Sequence, residues 1–122
     1  MLKIAKEDYN SANFLTQMNK TPFEVICFHC QQSAEKDLKG YLVKSEVKIK
    51  RTHNLKVLLH ECIKIDTEFK SILKNCIRLR DYAVELRYPY RLEIDERIMN
   101  IALKDSKLIK EFIYNKIGYK SD

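Results

Sequence analysis

Two short polar segments carry most of the side chains that could recognise a ligand. The first lies within a predicted helix and combines Gln32, Glu35 and Lys36 with a further basic residue, Lys39. Residues three or four positions apart share one face of a helix, so these side chains form a ridge. The ridge has two interpretations: a solvated helix face with a Glu35–Lys39 ion pair, or one wall of a cleft.

The second polar segment is Arg87-Tyr88-Pro89-Tyr90-Arg91. Arginine guanidinium groups bind phosphate or carboxylate in a fixed fork, and tyrosine rings can stack on bases. The alternative is a helix end, because residues before Pro89 are biased away from helical conformation and cations are favourable near a helix C-terminus. The residues alone leave both interpretations open.

Three histidines lie in separate parts of the chain. His53 follows Arg51 and Thr52 where a linker meets a helix, so it could cap that helix or contact an anion. We expect His60 to be exposed on the same helix. His29 lies beside an apolar face and could reach a partner subunit.

The four cysteines suggest zinc at first sight, because Cys27 and Cys30 are spaced to share a helix face. Structural zinc requires four converging nitrogen or sulfur ligands. No second Cys-x-x-Cys accompanies the first, and Cys62 and Cys76 fall on apolar stripes of other helices. We therefore predict small core residues, with no metal site and no cofactor.

Composition favours a helical protein. The chain has 122 residues, of which 45% are hydrophobic, but only two are Gly and two are Pro, which is too few for the many turns of a β-sandwich. No apolar run approaches the roughly 18–20 residues that span a bilayer, and the N-terminus does not resemble a signal peptide. We expect a cytoplasmic protein with reduced cysteines and no membrane association. The net charge of +6 permits nucleic-acid or nucleotide binding, although scattered lysines also suit a solvated surface.

Hydrophobic periodicity predicts an all-α, up-and-down antiparallel four-helix bundle with one additional short helix. Ile4 and Leu108 belong to apolar stripes in this prediction. The predicted domain covers residues 1–118, with a frayed tail over 119–122. The predicted helices cover residues 2–18, 22–44, 55–65, about 67–86 and 95–117.

Local signals define several predicted helix ends. Thr21 should act as an N-cap before Pro22, with Glu24 completing a capping box. Gly118 should end the last helix as its C-cap. Gly40 lies inside a helix, where its missing side chain could allow a close crossing or a ligand.

Taken in order, several segments resemble the HEPN domain family. They are Ala5 to Tyr9 (Ala-x-x-Asp-Tyr), Phe28 to Lys39, Arg51 to Leu55, Leu79-x-x-Tyr82 and Arg87 to Pro89. The resemblance implies a helical bundle, usually a homodimer. It also implies frequent pairing with a minimal nucleotidyltransferase, often encoded beside it, and some members are proposed to bind nucleotides at a cleft near the dimer interface.

Other members of the family are metal-independent ribonucleases, often toxins, whose signature is an Arg followed a few residues later by a His. No His occurs here after His60, and Arg51 and His53 are too close together to supply that pattern. Without this imidazole, a general acid or base for cleavage at the 2′-hydroxyl is missing.

The resulting prediction is a non-catalytic HEPN protein, with no catalytic residues, that binds a nucleotide, a minimal nucleotidyltransferase, or both, as a homodimer. The alternatives are a HEPN ribonuclease toxin of a toxin–antitoxin pair and a helical interaction module without a ligand. RNA is the less favoured ligand. The predicted binding residues are Gln32, Glu35, Lys36, Arg51, His53, Tyr82, Arg87 and Tyr88.

Overall fold

The computed structural model describes residues 1–49, 51–83 and 93–118. Those residues form helices and no strand, which confirms the predicted all-α bundle. None of the helices in these ranges is long and apolar enough to cross a membrane. The elements are α1 (Leu2–Leu15), α2 (Phe23–Lys44), α3 (Leu55–Ile65), a 3-10 helix (Thr67–Ile72), α4 (Leu73–Arg80) and α5 (Glu96–Ile117).

Helix α2 is the centre of the bundle and packs against α1, α3, α4 and α5. Its inward side chains include Ile26, Ala34, Leu38 and Leu42, all fully buried. Removal of such apolar surface from water is the main force that holds a helical bundle together. A helix with neighbours on most sides can position polar residues relative to several other helices at once.

The cysteines are core residues, as predicted. All four are free thiols and fully buried. Burial raises the pKa of Cys27, Cys62 and Cys76 to about 12 and raises the pKa of Cys30 as well. Within the described ranges, no group of three or more His, Cys, Asp or Glu side chains is placed to hold a metal ion.

Gly40 allows α1 to cross α2 closely. A close crossing was one of the two roles predicted for this glycine. A Cβ atom at this position would lie 2.8 Å from Cδ2 and 3.0 Å from Cγ of Leu2. Leu2 is buried at the start of α1, so the missing side chain makes room for a core contact. The crossing sets the spacing between the two helices near the end of α2.

Two helix ends differ from the prediction because side-chain oxygens bond locally. Helix α1 ends at Leu15, before the predicted Met18, and the Thr16 hydroxyl donates to the Asn13 carbonyl at 2.6 Å. The predicted capping box is wrong. Pro22 is the N-cap of α2, and the Thr21 hydroxyl instead donates to the Met18 carbonyl at 3.0 Å.

The predicted fourth helix is shorter and divided. It begins as a 3-10 helix, in which residues three apart lie on one face, and this places Phe69 and Ile72 together in the core. Helix α4 ends at Arg80, and the amide of Tyr82 then bonds the carbonyl of Leu79 at 3.0 Å in a turn. The predicted continuation to residue 86 passes into residues 84–92, which lie outside the described ranges.

Two residues assigned to apolar stripes are exposed. Ile4 on α1 and Leu108 on α5 are each 47% exposed, so their assignment to the core is wrong. The stripes are narrower than the pattern of apolar residues suggested. The last helix ends as predicted, with Gly118 in the left-handed conformation at φ 66°.

Candidate functional site

The polar ridge of α2 is partly buried rather than a solvated face. Glu35 is only 3% exposed. The side chains of Lys36 and Lys39 are 23% and 14% exposed. The interpretation as a solvated surface is therefore wrong for Glu35. We use the name α2 ridge for Gln31, Gln32, Glu35, Lys36 and Lys39.

Glu35 is the centre of a compact polar cluster. Its Oε2 lies 3.0 Å from Nζ of Lys39, which confirms the predicted ion pair. Its Oε1 lies 3.0 Å from Nδ1 of His53 and 3.4 Å from Nε2 of Gln31. A buried carboxylate is costly unless it is paired and hydrogen-bonded, and these partners meet that requirement.

His53 joins the linker before α3 to the α2 ridge at two points. Its ring contacts Glu35, and its carbonyl accepts a bond from Nε2 of Gln31 at 3.1 Å. The side chain is nevertheless 72% exposed. Because a carboxylate can only accept hydrogen bonds, the Nδ1–H of His53 is the donor in this contact, and Nε2 is left for another partner. A buried acid thus orients an accessible imidazole.

The predicted capping role of His53 is wrong. Asn54 is the N-cap of α3, and its side-chain oxygen accepts bonds from the amides of Lys56 at 2.9 Å and Val57 at 3.4 Å. His53 is thereby available for the contact with the ridge. His60, further along α3, is exposed as predicted.

Asp8 connects α1 to the ridge. Its Oδ2 lies 2.5 Å from Nζ of Lys36, and its Oδ1 lies 3.1 Å from Nδ1 of His29. Lys36, a predicted binding residue, is therefore already paired with a carboxylate. His29 contacts α1 of the same chain, whereas the sequence suggested a reach to a partner subunit, which stays a prediction.

Of the other predicted binding residues, Arg51 and Tyr82 lie within the described ranges. Arg51 is exposed in the linker, two positions before His53. Tyr82 is half-buried, and its pKa is raised by burial first and then by the nearby Cys27, Asp81 and Asp105. Glu35 is not among the groups that shift this pKa. Arg87 and Tyr88 lie outside the described residues.

A buried ion pair between α2 and α5 was missed from sequence. Nζ of Lys110 lies 3.2 and 3.1 Å from the two carboxylate oxygens of Asp37, and these side chains are 7% and 0% exposed. Burial raises the pKa of Asp37 to about 6, against the opposing effect of Lys110, and burial lowers the pKa of Lys110. The rings of Tyr9 and Tyr114 lie 5.5 and 5.3 Å from Lys110 Nζ.

A second missed contact joins α4 to α5. Arg78 donates from Nε and Nη2 to the two oxygens of Asp105, at 2.8 and 2.7 Å, and Asn75 donates to the same carboxylate at 2.8 Å. Asp105 is 3% exposed. The guanidinium is held by a bidentate pair whose acid is buried. In both contacts the acid, Asp37 or Asp105, lies between apolar residues of a helix stripe. That placement was the sequence signal that could have indicated a buried ion pair.

Comparison with known proteins gives one match. The sequence model of the HEPN domain matches residues 1–117, nearly the whole chain. No curated protein and no solved structure matches the chain. The matched range includes Asp8, the α2 ridge and His53. The chain therefore belongs to the HEPN domain family.

Proposed function

We propose that this HEPN protein acts by binding, as a homodimer whose ligand is a nucleotide, a minimal nucleotidyltransferase partner, or both. The observation that carries the proposal is the accessible imidazole of His53, held by the buried carboxylate of Glu35. Such an arrangement presents one ring nitrogen in a fixed direction. Fixed polar groups reduce the entropy that ligand binding must overcome.

The surroundings of His53 suit an anionic ligand with polar edges. Arg51 is exposed two positions away and can turn its guanidinium toward a phosphate. Gln32 is half-buried and donates to Gln31 at 2.8 Å, which leaves its other amide atoms for a base edge. In the proposal, Arg87 and Tyr88 would complete the site by phosphate binding and stacking.

Titration calorimetry with ATP and GTP tests the nucleotide part of the proposal. We expect saturable heat for at least one nucleotide and weaker binding in His53→Ala. The matched control is His60→Ala, which removes an exposed histidine from α3 without touching Glu35. Similarly, Arg87→Ala should weaken binding more than Arg91→Ala. Absence of heat with either nucleotide, alone and with the partner, would leave a ligand-free interaction module.

Exposed apolar side chains support the proposed homodimer. Phe14, Met18 and Val25 are 69%, 48% and 44% exposed, and they cluster in sequence around the turn between α1 and α2. Exposed apolar patches often mark protein interfaces. In sedimentation, Phe14→Glu should shift a dimer toward monomer, whereas Val43→Glu, at a position 53% exposed elsewhere on α2, should not. A monomeric wild type would refute the homodimer.

The nucleotidyltransferase part has its own test. A minimal nucleotidyltransferase encoded beside this gene should co-purify with the chain when both are expressed. Failure of the pair to associate at micromolar concentration would remove the partner from the proposal. It would leave the nucleotide part untouched.

The Glu35–His53 contact also favours a second candidate, a ribonuclease toxin. An imidazole oriented by a carboxylate can take a proton through its free nitrogen, which is the role of a general base. If this candidate is correct, expression should arrest growth, and His53→Ala or Arg87→Ala should relieve the arrest. Harmless expression together with RNA that stays intact on incubation would exclude it.

A further inference from the structure

A groove between α4 and α5 lies apart from the Glu35–His53 contact. Its volume is about 520 Å³, within the range of small-molecule sites. Three cationic side chains and two acidic ones line it, so the groove carries a net positive charge of one. Asp105 is paired with Arg78, which leaves the two lysines against Glu111. The lining side chains include Arg78, Lys104, Lys107, Leu108 and Glu111, together with the buried Asp105.

Arg78 is the best-fixed cation of this groove. Two of its N–H groups are held by buried Asp105, and Asn75 helps to hold the same carboxylate. The Arg78 side chain is still 49% exposed, so its remaining N–H donors are accessible. An arginine fixed from behind by a carboxylate keeps its outer donors in place for a second oxyanion.

Lys104 and Lys107 add positive charge from α5, the other helix of the groove. Both are exposed on α5. Lys107 has an acid nearby, since its Nζ lies 3.9 Å from Glu111, but both of these side chains are more than 60% exposed, at 65% and 62%. Such a pair is weak in water, so Lys107 can exchange it for a stronger anion.

We propose that the α4–α5 groove binds a phosphate-bearing anion. Arg78 would bind two oxygens of one phosphoryl group, and Lys104 and Lys107 would bind the other oxygens. A phosphoryl group has enough charged oxygens to contact all three cations, whereas a single carboxylate has only two oxygens. Leu108, 47% exposed beside the cations, would contact the organic part of the ligand. This site goes beyond the proposed function, because it shares no residue with the Glu35–His53 contact.

Inorganic pyrophosphate is a suitable probe, followed by nuclear magnetic resonance of the backbone amides and of Arg78 Nε–H. We expect saturable shifts in α4 and α5, which are distinct from any shifts at Arg51 and His53, where the proposed nucleotide site would bind the same anion. Binding should weaken as salt is added, since the lysines are exposed. Shifts scattered over lysines throughout the chain, or no saturation at millimolar pyrophosphate, would overturn the proposal.

Charge variants make the test specific. Lys104→Gln and Lys107→Gln should each weaken pyrophosphate binding about threefold, and Glu111→Gln should strengthen it by a similar factor. Lys20→Gln, which makes the same charge change at an exposed position before α2, is the control and should have no effect. An equal loss in this control would show a general charge effect and would overturn the site.

Two further variants test whether the Arg78 fork is needed and whether the groove is separate from the proposed nucleotide site. Arg78→Lys keeps the charge but loses the fork, so it should weaken binding while circular dichroism confirms the fold. If Arg78→Lys unfolds the chain, the exposed lysine variants still decide the question. His53→Ala should leave pyrophosphate binding in the groove unchanged, so failure of the groove and failure of the proposed nucleotide site give different results.

Discussion

The buried pair of Asp37 and Lys110 makes a strong prediction for stability. Lys110→Met replaces the cation with an apolar side chain of similar length. The carboxylate of Asp37, 0% exposed, would then lose its paired charge and its two bonds of 3.1 and 3.2 Å. Removal of one partner from a buried pair typically costs about 3–5 kcal/mol, because the other charge stays in the interior.

Urea denaturation at pH 7 measures this loss. Domains of this size are stable by about 5–15 kcal/mol, so the variant should fold with much of its stability gone. With an m-value of about 2 kcal/mol per molar urea, the unfolding midpoint should fall by about 2 M. The control is Lys107→Met, because that lysine is 65% exposed on the same helix. Its midpoint should change little, since exposed ion pairs contribute about 0–1 kcal/mol.

The pH dependence tests the physical cause. The folded pKa of Asp37 is raised to about 6, above its ordinary value of 3.8, so this group makes the fold more stable as pH falls from 7 toward 4. Lys110→Met removes the cation that opposed this rise, so its carboxyl should become protonated at a still higher pH. The variant should therefore recover more stability than the wild type between pH 7 and pH 5. A loss below 1 kcal/mol at pH 7, or an equal loss at both pH values, would refute the reasoning.

Three further predictions concern packing, capping and the thiols. Gly40→Val should destabilise the fold by about 1–3 kcal/mol through a clash with Leu2, and Leu2→Ala should make the combined loss less than additive in a double-mutant cycle. Asn54→Ala should cost about 1 kcal/mol in urea unfolding, because the first amides of α3 lose their side-chain acceptor. The four buried cysteines should resist alkylation at pH 8 in the native state and react in urea; rapid native labelling would contradict their burial.

Local chemistry explains why most of the fold was predictable. Helix α3 was predicted with its observed ends, and α5 ends at Ile117 with Gly118 as its C-cap, as expected, because apolar periodicity and a glycine C-cap are short-range signals. The start of α2 was less predictable, since the Thr21 hydroxyl had a competing acceptor in the preceding turn. The 3-10 helix was also missed, because the same apolar residues suit either kind of helix.

The candidate site was only partly predictable, because burial of a polar residue depends on distant partners. The ridge residue Glu35 was identified, but its contact with His53, eighteen positions along the chain, forms only in the folded bundle. Asp37 and Lys110 are 73 positions apart, and Asp105 pairs with Arg78 across two helices. The local sequence does not show which partner each of these four residues will have, because their partners are on different helices.

His53 is attached to α2 by its ring and, separately, by its main chain. The carbonyl bond to Gln31 does not depend on the direction of the imidazole. Two separate attachments therefore hold the residue, so a ligand that bonds the exposed part of the ring need not displace Glu35, the linker or the first turn of α3. Ligand exchange at this point would then require no movement of a helix, and its rate would be set by the ligand's own dissociation.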